Sequence, residues 1–268
     1  MRNSEWGMRK ERLLRVAGSS FQLRITGFWF FVFNQQLATG KALVILGELV
    51  FNGNPEQGRN AGEEGPMLIR INAQNPQPRL IRRVVEALGD GGVIAYPTDT
   101  VYGFGCSLYN KKAIERIYLL KRSEKNRPFS FICADLKDIS LYCQVSNYAY
   151  KIMKRFLPGP YTFILEGTRL VPKIMLTKRK TAGIRVPSNP ICLAMVKELG
   201  HPIITTSAML PGGEALYDPA DIDRHLGKSL DLVIDGGVLV SEPSSVIDLT
   251  GEIPKILRRG KGDVSLFE

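Results

Sequence analysis

Two patterns of apolar and polar positions take turns along most of the chain. Leu80, Val84, Val85 and Leu88 recur at the interval of one helix face, and Gly89 with the Gly91-Gly92 pair closes that stretch. Residues 93–96 form a short apolar run ending at Pro97, which reads as a strand. Helical spacing returns over 111–122 through Ile114, Ile117, Tyr118 and Leu120, and 129–133 read as a strand. A helix is expected over 148–156, stopped by Pro158-Gly159-Pro160, with a strand over 161–165. Pro190 opens another helix ending at Gly200, and 203–206, 232–234, 246–249 and 256–257 complete the strands. The alternation predicts an α/β fold of about seven strands. No helix interrupts the strands after Leu232, which predicts a mixed sheet.

The first 66 residues do not share this order. Both tryptophans, Trp6 and Trp29, lie there, and all four cysteines lie beyond. Residues 52–66, rich in Gly, Asn and Glu, read as a linker. Two explanations compete for this stretch. Arg2, Arg9, Lys10, Arg12 and Arg15 suit a targeting segment, but Glu5 and Glu11 interrupt them and no apolar core with a small-residue cleavage site follows. The alternative is translated upstream sequence ahead of a natural start at Met67, and it is preferred. Residues 1–66 are therefore expected to be a non-native or disordered N-terminal extension, and 67–268 the working domain. The longest apolar runs, 28–33 and 191–196, have six residues. A spanning helix needs about 20, so no membrane partner is expected.

Charge narrows the partners. Thirty-six Lys and Arg against 26 Asp and Glu give +10 in 268 residues. The first 66 residues hold eight basic and six acidic side chains, so +8 belongs to the rest. An excess of this size suits nucleic acid or a nucleotide polyphosphate, and equally an ordinary basic surface. Cys106, Cys133, Cys143 and Cys192 contain no CxxC pair, and only His201 and His225 accompany them. Neither a disulfide framework nor a zinc site is expected, and reduced thiols indicate a cytoplasmic protein.

The chain lacks a GxxxxGK[ST] phosphate loop, a GxGxxG fingerprint, a GxSxG elbow and an HExxH pair. No nucleophile–base pair offers covalent catalysis. What remains is a set of hydroxyl-rich and basic turns at strand ends: residues 96–103 (YPTDTVYG), 121–128 (KRSEKNRP), 178–187 (KRKTAGIRVP), 205–208 (TTSA), and 244–248 (SSVID) followed by Leu257-Arg258-Arg259-Gly260. Hydroxyls and backbone amides in such turns hold carboxylates and phosphates, and an arginine on a strand face grips them bidentately. Taken singly, each is equally an ordinary capped or charged turn.

As an ordered set, PTDTVYGFG, GPYTFIL, GIRVPSNP, TTSAM, SSVIDLT and ILRRG resemble the YrdC-like family, the threonylcarbamoyl-AMP synthase superfamily, over residues 69–268. PGPYTFIL, KRKTAGIRVPSNP and the closing KGDVSLFE are most similar to its YciO branch. The resemblance implies an open twisted mixed β-sheet flanked by helices. It also implies a reaction: threonine, bicarbonate and ATP give threonylcarbamoyl-AMP and pyrophosphate, which supplies the tRNA modification threonylcarbamoyladenosine. Threonine carbamate attacks the α-phosphorus, so the protein positions substrates and stabilises charge, and no catalytic nucleophile is expected.

By motif position, Thr100, Arg185, Thr205 and Ser244 are expected to contact threonine, and Lys121, Thr181, Ser207 and Arg258 to face ATP. ATP enters as a substrate with Mg2+, with no protein metal site and no permanently bound cofactor. If Arg185 clamps substrate, R185A is expected to abolish ligand-induced stabilisation and leave the unliganded Tm unchanged. The sequence departs from the family pattern at four places. Ser123-Glu124 stands for Arg-Pro, Arg127 for Asn, Ile132 for His and Met209 for Asn. These departures support a second reading, a catalytically weak nucleotide- or double-stranded-RNA-binding module. In that reading Lys111, Lys112, Arg116, Lys121, Arg122, Lys125 and residues 178–180 form an electrostatic footprint.

Overall fold

The computed structural model describes residues 14–16, 19–21, 67–121, 129–172, 180–210 and 214–268. The chain divides into two units, Met1–Glu63 and Glu64–Glu268. In the first, β1 (Leu14–Val16) and β2 (Ser19–Phe21) pair antiparallel, Leu14 opposite Phe21. The rest of the expected extension lies outside the described residues.

The second unit is built on one sheet of eleven strands. In chain order these are β3 (Met67–Arg70), β4 (Ile94–Tyr96), β5 (Gly103–Ser107), β6 (Ser130–Ile132), β7 (Cys143–Gln144) and β8 (Tyr161–Gly167). β9 (Thr181–Arg185), β10 (Ile203–Ser207), β11 (Leu232–Asp235), β12 (Ser245–Asp248) and β13 (Lys255–Arg258) follow. They lie side by side as β13-β12-β8-β9-β6-β10-β5-β4-β11-β3, with β7 against β8. The sheet is mixed. β11 runs parallel to β3 and β4, β6 to β9, and β12 to β8, while the other pairs are antiparallel.

Among the described residues six α-helices lie between the strands: α1 (Pro78–Gly89), α2 (Lys111–Leu120), α3 (Leu136–Tyr142), α4 (Asn147–Phe156), α5 (Pro190–Leu199) and α6 (Pro219–Leu226). Their starts are fixed locally. Asn110, Asp135, Ser146, Asn189 and Asp218 each accept a hydrogen bond from an amide of the first turn, and α1, α5 and α6 open with proline. The chain leaves α5 through Gly200, whose φ of 75° is left-handed.

Strand side chains alternate between faces, and here the two faces differ in composition. One presents Ala95, Phe104, Cys106, Phe131, Phe163, Ala182, Ile184, Ile204, Val233 and Ile247, all buried in one cluster. α2, α3, α4 and α6 cover it through Ile114, Ile117, Ile139, Met153 and Ile222. The opposite face is apolar at one end only. There Ile69, Ile94, Tyr96, Ile132, Ile203, Leu232 and Ile234 pack beneath α1 and α5, against Ile81, Val84, Leu88, Ile191, Met195 and Val196.

Three strands and two helices were not among the expected elements: β3, β5, β7, α3 and α6; β9 carries Arg185 on a strand face, as the alternation around it suggested. β5 is GFGCS, whose core-facing alternation rests on Phe104 and Cys106 alone. α3 and α6 have seven and eight residues, too few for a sustained stripe. Among the described residues no helix is long and apolar enough to cross a membrane.

Candidate ligand site on the open half of the sheet

Beyond the reach of α1 and α5, the same sheet face turns polar. Thr205 lies opposite Gly105 on one side and Ser130 on the other. Ser130 lies opposite Gly183, two residues before Arg185. Ser207, Thr181 and Thr162 share this parity. The glycines set its depth. A Cβ on Gly183 would stand 2.6 Å from Ser130 Oγ, and one on Gly105 would stand 2.8 Å from the Tyr96 ring. The floor therefore lies close to the backbone.

Arg185, at the C-terminal end of β9, is only 7% exposed. Its Nη2 donates to Asp99 Oδ1 at 2.8 Å and to Thr100 Oγ1 at 3.0 Å. Its Nε is buried with no hydrogen-bond partner. Asp99 Oδ2 accepts from the Ser188 amide at 3.0 Å, so one carboxylate ties the 97–102 turn to both β9 and the start of the α5 loop. Thr98 Oγ1 accepts from the Thr100 amide at 3.0 Å and donates to the Val101 carbonyl at 2.6 Å, which holds Thr100 in place.

Thr205 is 4% exposed and shares a hydrogen bond with the Tyr96 hydroxyl. Burial pushes the Tyr96 phenol well above its ordinary value, so this hydroxyl keeps its proton across the physiological range. Ser244 Oγ and Thr162 Oγ1 are 2.8 Å apart and both buried. Arg258 donates to the Ser244 carbonyl from Nε at 3.0 Å and from Nη2 at 2.8 Å. Burial holds its guanidinium below the usual range, and the charge of Arg185 pushes the same way, so the two guanidinium groups share one region. Lys121, at the end of α2, donates to the Ser207 carbonyl at 3.1 Å.

All eight expected site residues lie in the described part. Thr181, Arg185, Thr205 and Ser207 stand on the polar face. Thr100, Ser244 and Arg258 join it through hydrogen bonds, and Lys121 reaches it at the end of β10. Sequence reasoning assigned no role to Tyr96, Asp99, Thr162 or Ser130. Asp99 stands inside the YPTDTVYG turn, with no Lys or Arg between Arg83 and Lys111 to suggest a partner for it. Its pairing with Arg185 revises the expectation for R185A: the substitution would leave a buried carboxylate without its cation, so the unliganded protein is expected to be destabilised too.

Of the departures from the family pattern, Ile132 is fully buried beneath α5 and belongs to the core. Met209 pairs with Ala215 in an isolated bridge. Ser123, Glu124 and Arg127 lie outside the described residues. The expected basic footprint is divided. Lys111, Lys112 and Arg116 belong to α2, on the opposite layer, where Lys111 pairs with Glu115 and Arg116 with Asp231 at 2.9 Å. Arg122, Lys125, Lys178 and Arg179 lie outside the described residues. Among the described residues no group of three or more His, Cys, Asp and Glu is placed to hold a metal.

Comparison with known proteins agrees with this architecture. The Sua5/YciO/YrdC family profile, described as telomere recombination, matches residues 86–260. The uncharacterized protein YciO of Escherichia coli (strain K12) is 48% identical over 199 residues, 74% of this chain and 97% of YciO. A threonylcarbamoyl-AMP synthase of Vibrio vulnificus (strain YJ016) is 29% identical over 184 residues, 67% of this chain and 98% of that protein. The crystal structure of E. coli YciO superposes with a TM-score of 0.73 at 46% identity, covering 76% of this chain and all of the other. Pyrococcus abyssi Sua5 complexed with L-threonine gives 0.69 at 27% identity, covering 72% of this chain and 57% of Sua5. On the extent of the profile and the identity to YciO, the chain belongs to the Sua5/YciO/YrdC family.

Proposed function

We propose that residues 67–268 carry an L-threonylcarbamoyladenylate synthase-type activity, joining threonine, bicarbonate and ATP into threonylcarbamoyl-AMP with release of pyrophosphate and water. The observation that carries this reading is the gathering of Arg185, Arg258 and the hydroxyls of Thr100, Thr162, Thr205 and Ser244 on the half-face beyond the residues packed under α1 and α5. Relatives named threonylcarbamoyl-AMP synthase and a Sua5 structure holding L-threonine support the same chemistry.

The buried Arg185 fork, with an unpartnered Nε, suits a substrate carboxylate. Thr100 and Thr205 would orient it, and Ser244 would meet the threonine hydroxyl or carbamate. Lys121, Thr181, Ser207 and Arg258 would face ATP. Arg258, whose charge burial and Arg185 disfavour, is stabilised when an anion arrives, and most of all when the α-phosphorus gains a fifth oxygen. The one carboxylate bonded to Arg185 is already occupied, so magnesium would enter on the ATP phosphates as part of the substrate. Free, buried cysteines suit a cytoplasmic setting, and the product would serve tRNA modification.

Two observations favour a second reading. Ile132, where the resemblance puts a histidine, is sealed into the core, and Arg185 already holds an internal carboxylate. A nucleotide-binding module with little turnover would have these features. The test is pyrophosphate release by the full chain given ATP, magnesium, bicarbonate and threonine, omitting each in turn. Release that needs all of them is expected. No release alongside measurable ATP binding would replace the synthase reading with the binding module.

A further inference from the structure

The loop after β13 is built with unusual rigidity around one exposed lysine. Ser245 is fully buried, and its Oγ both donates to the Gly262 carbonyl at 2.6 Å and accepts from the Gly260 amide at 3.0 Å. The Lys261 amide donates to the Pro243 carbonyl at 2.9 Å. Neither flanking glycine has room for a side chain. A Cβ on Gly260 would stand 2.2 Å from the Pro243 carbonyl oxygen, and one on Gly262 would stand 2.5 Å from the Tyr161 ring. A backbone fastened on three sides therefore fixes where the Lys261 side chain begins.

That side chain crosses to the site. Its Nζ donates to the backbone carbonyl of Asp99 at 2.5 Å, on the residue whose carboxylate holds Arg185. Lys261 makes no ion pair with any described carboxylate, so a full positive charge rests on a neutral oxygen. Among the described residues Arg258 likewise bonds to the carbonyl and hydroxyl of Ser244 and to no carboxylate. The cations thus form a gradient. Arg185 is buried and paired, Arg258 is exposed but bonded back to Ser244, and Lys261 is at the rim in solvent.

A planar guanidinium on the floor matches a carboxylate. A mobile ammonium at the rim matches the outer end of a polyphosphate, which keeps contact with water and carries the most charge. We propose that Lys261 is a third anion-binding cation of this site, parked on the Asp99 carbonyl when no ligand is bound and transferring to the outer phosphates of a nucleoside triphosphate. This assignment rests on the nucleotide reading above and adds a residue that sets preference for triphosphate over monophosphate.

The experiment is calorimetric titration of the full chain with ATP, ADP and AMP, each with magnesium, in the natural protein, K261M and K261R. In the natural protein affinity is expected to fall from ATP to AMP. K261M should weaken ATP about tenfold or more and leave AMP unchanged, while K261R keeps the preference. The exposed position favours folding of these variants, and K261Q replaces K261M if that one does not fold. Equal weakening of all three nucleotides, or an unchanged ATP affinity, would overturn the assignment while leaving the nucleotide site standing. A lower unliganded Tm with the preference intact would mark Lys261 as a structural latch and overturn it too. Failure of the natural protein to bind any nucleotide would remove the reading beneath it.

Discussion

One face of the sheet is used in two ways, and the boundary between them falls within single strands. On β10, Ile203 packs under α5 and Thr205 stands on the polar floor two residues later. On β6, Ser130 belongs to the floor and Ile132 to the core. β9 contributes nothing to the cluster under α1 and α5, and its Thr181, Gly183 and Arg185 share the polar side. The period of two keeps these residues on one face, and the presence or absence of a helix decides which must be apolar. The candidate site needs no separate domain. It needs two helices to stop short.

Arg185 puts most strain on that division, because it is as buried as a core residue and as charged as a surface one. R185A should lower unfolding free energy by about 3–5 kcal/mol and abolish ligand-induced stabilisation. Chemical denaturation with and without threonine and ATP reads both effects. Loss of binding with unchanged stability would mean that the Asp99 pair is dispensable. Leu88→Ala, beneath the covered half, is expected to remove about 2–5 kcal/mol and to leave ligand affinity of the folded protein within about twofold. A large loss of affinity there would show the halves to be coupled.

Tyr96→Phe tests the seam itself, since the ring is core and the hydroxyl holds Thr205. A stability loss of about 1 kcal/mol is expected, with, for the proposed synthase reaction, a rise in KM for threonine of about fivefold. An unchanged KM would confine Tyr96 to packing.

The smallest effect is one of pH. The amide of Ser265, and then its hydroxyl, hold the Asp263 carboxyl below its ordinary value of 3.8. A lowered folded value gives stability that is present above about pH 3.8 and lost as pH falls through the folded value. Amide exchange at Ser265–Phe267 should therefore rise on acidification below that point. D263N, which cannot titrate, should show no such step.

The fold was legible in the sequence where periodicity was long or punctuated. Leu80, Val84 and Leu88 announced α1, and Pro190 with Gly200 bracketed α5. β5 was hidden because its glycines leave room for the Tyr96 ring and present no side chains of their own to read. The candidate site residues came from the ordered resemblance, since each turn alone is ordinary. Their partners were not legible for a physical reason. Thr162 meets Ser244 across 82 residues and Tyr96 meets Thr205 across 109, and no local propensity records a contact between distant strands. Asp99 was in plain view, but only the three-dimensional approach of Arg185 across 86 residues gives it a role.

Thr205 rides on a strand that is hydrogen-bonded along both edges, to β5 and to β6. A floor woven into the middle of a fabric cannot be moved one thread at a time, because any shift of β10 breaks two ladders at once. Divergence among relatives would then leave this weave alone and work at its hem, in the 97–102 turn and the loop carrying Lys261, where a side chain can change its reach without unpicking the cloth.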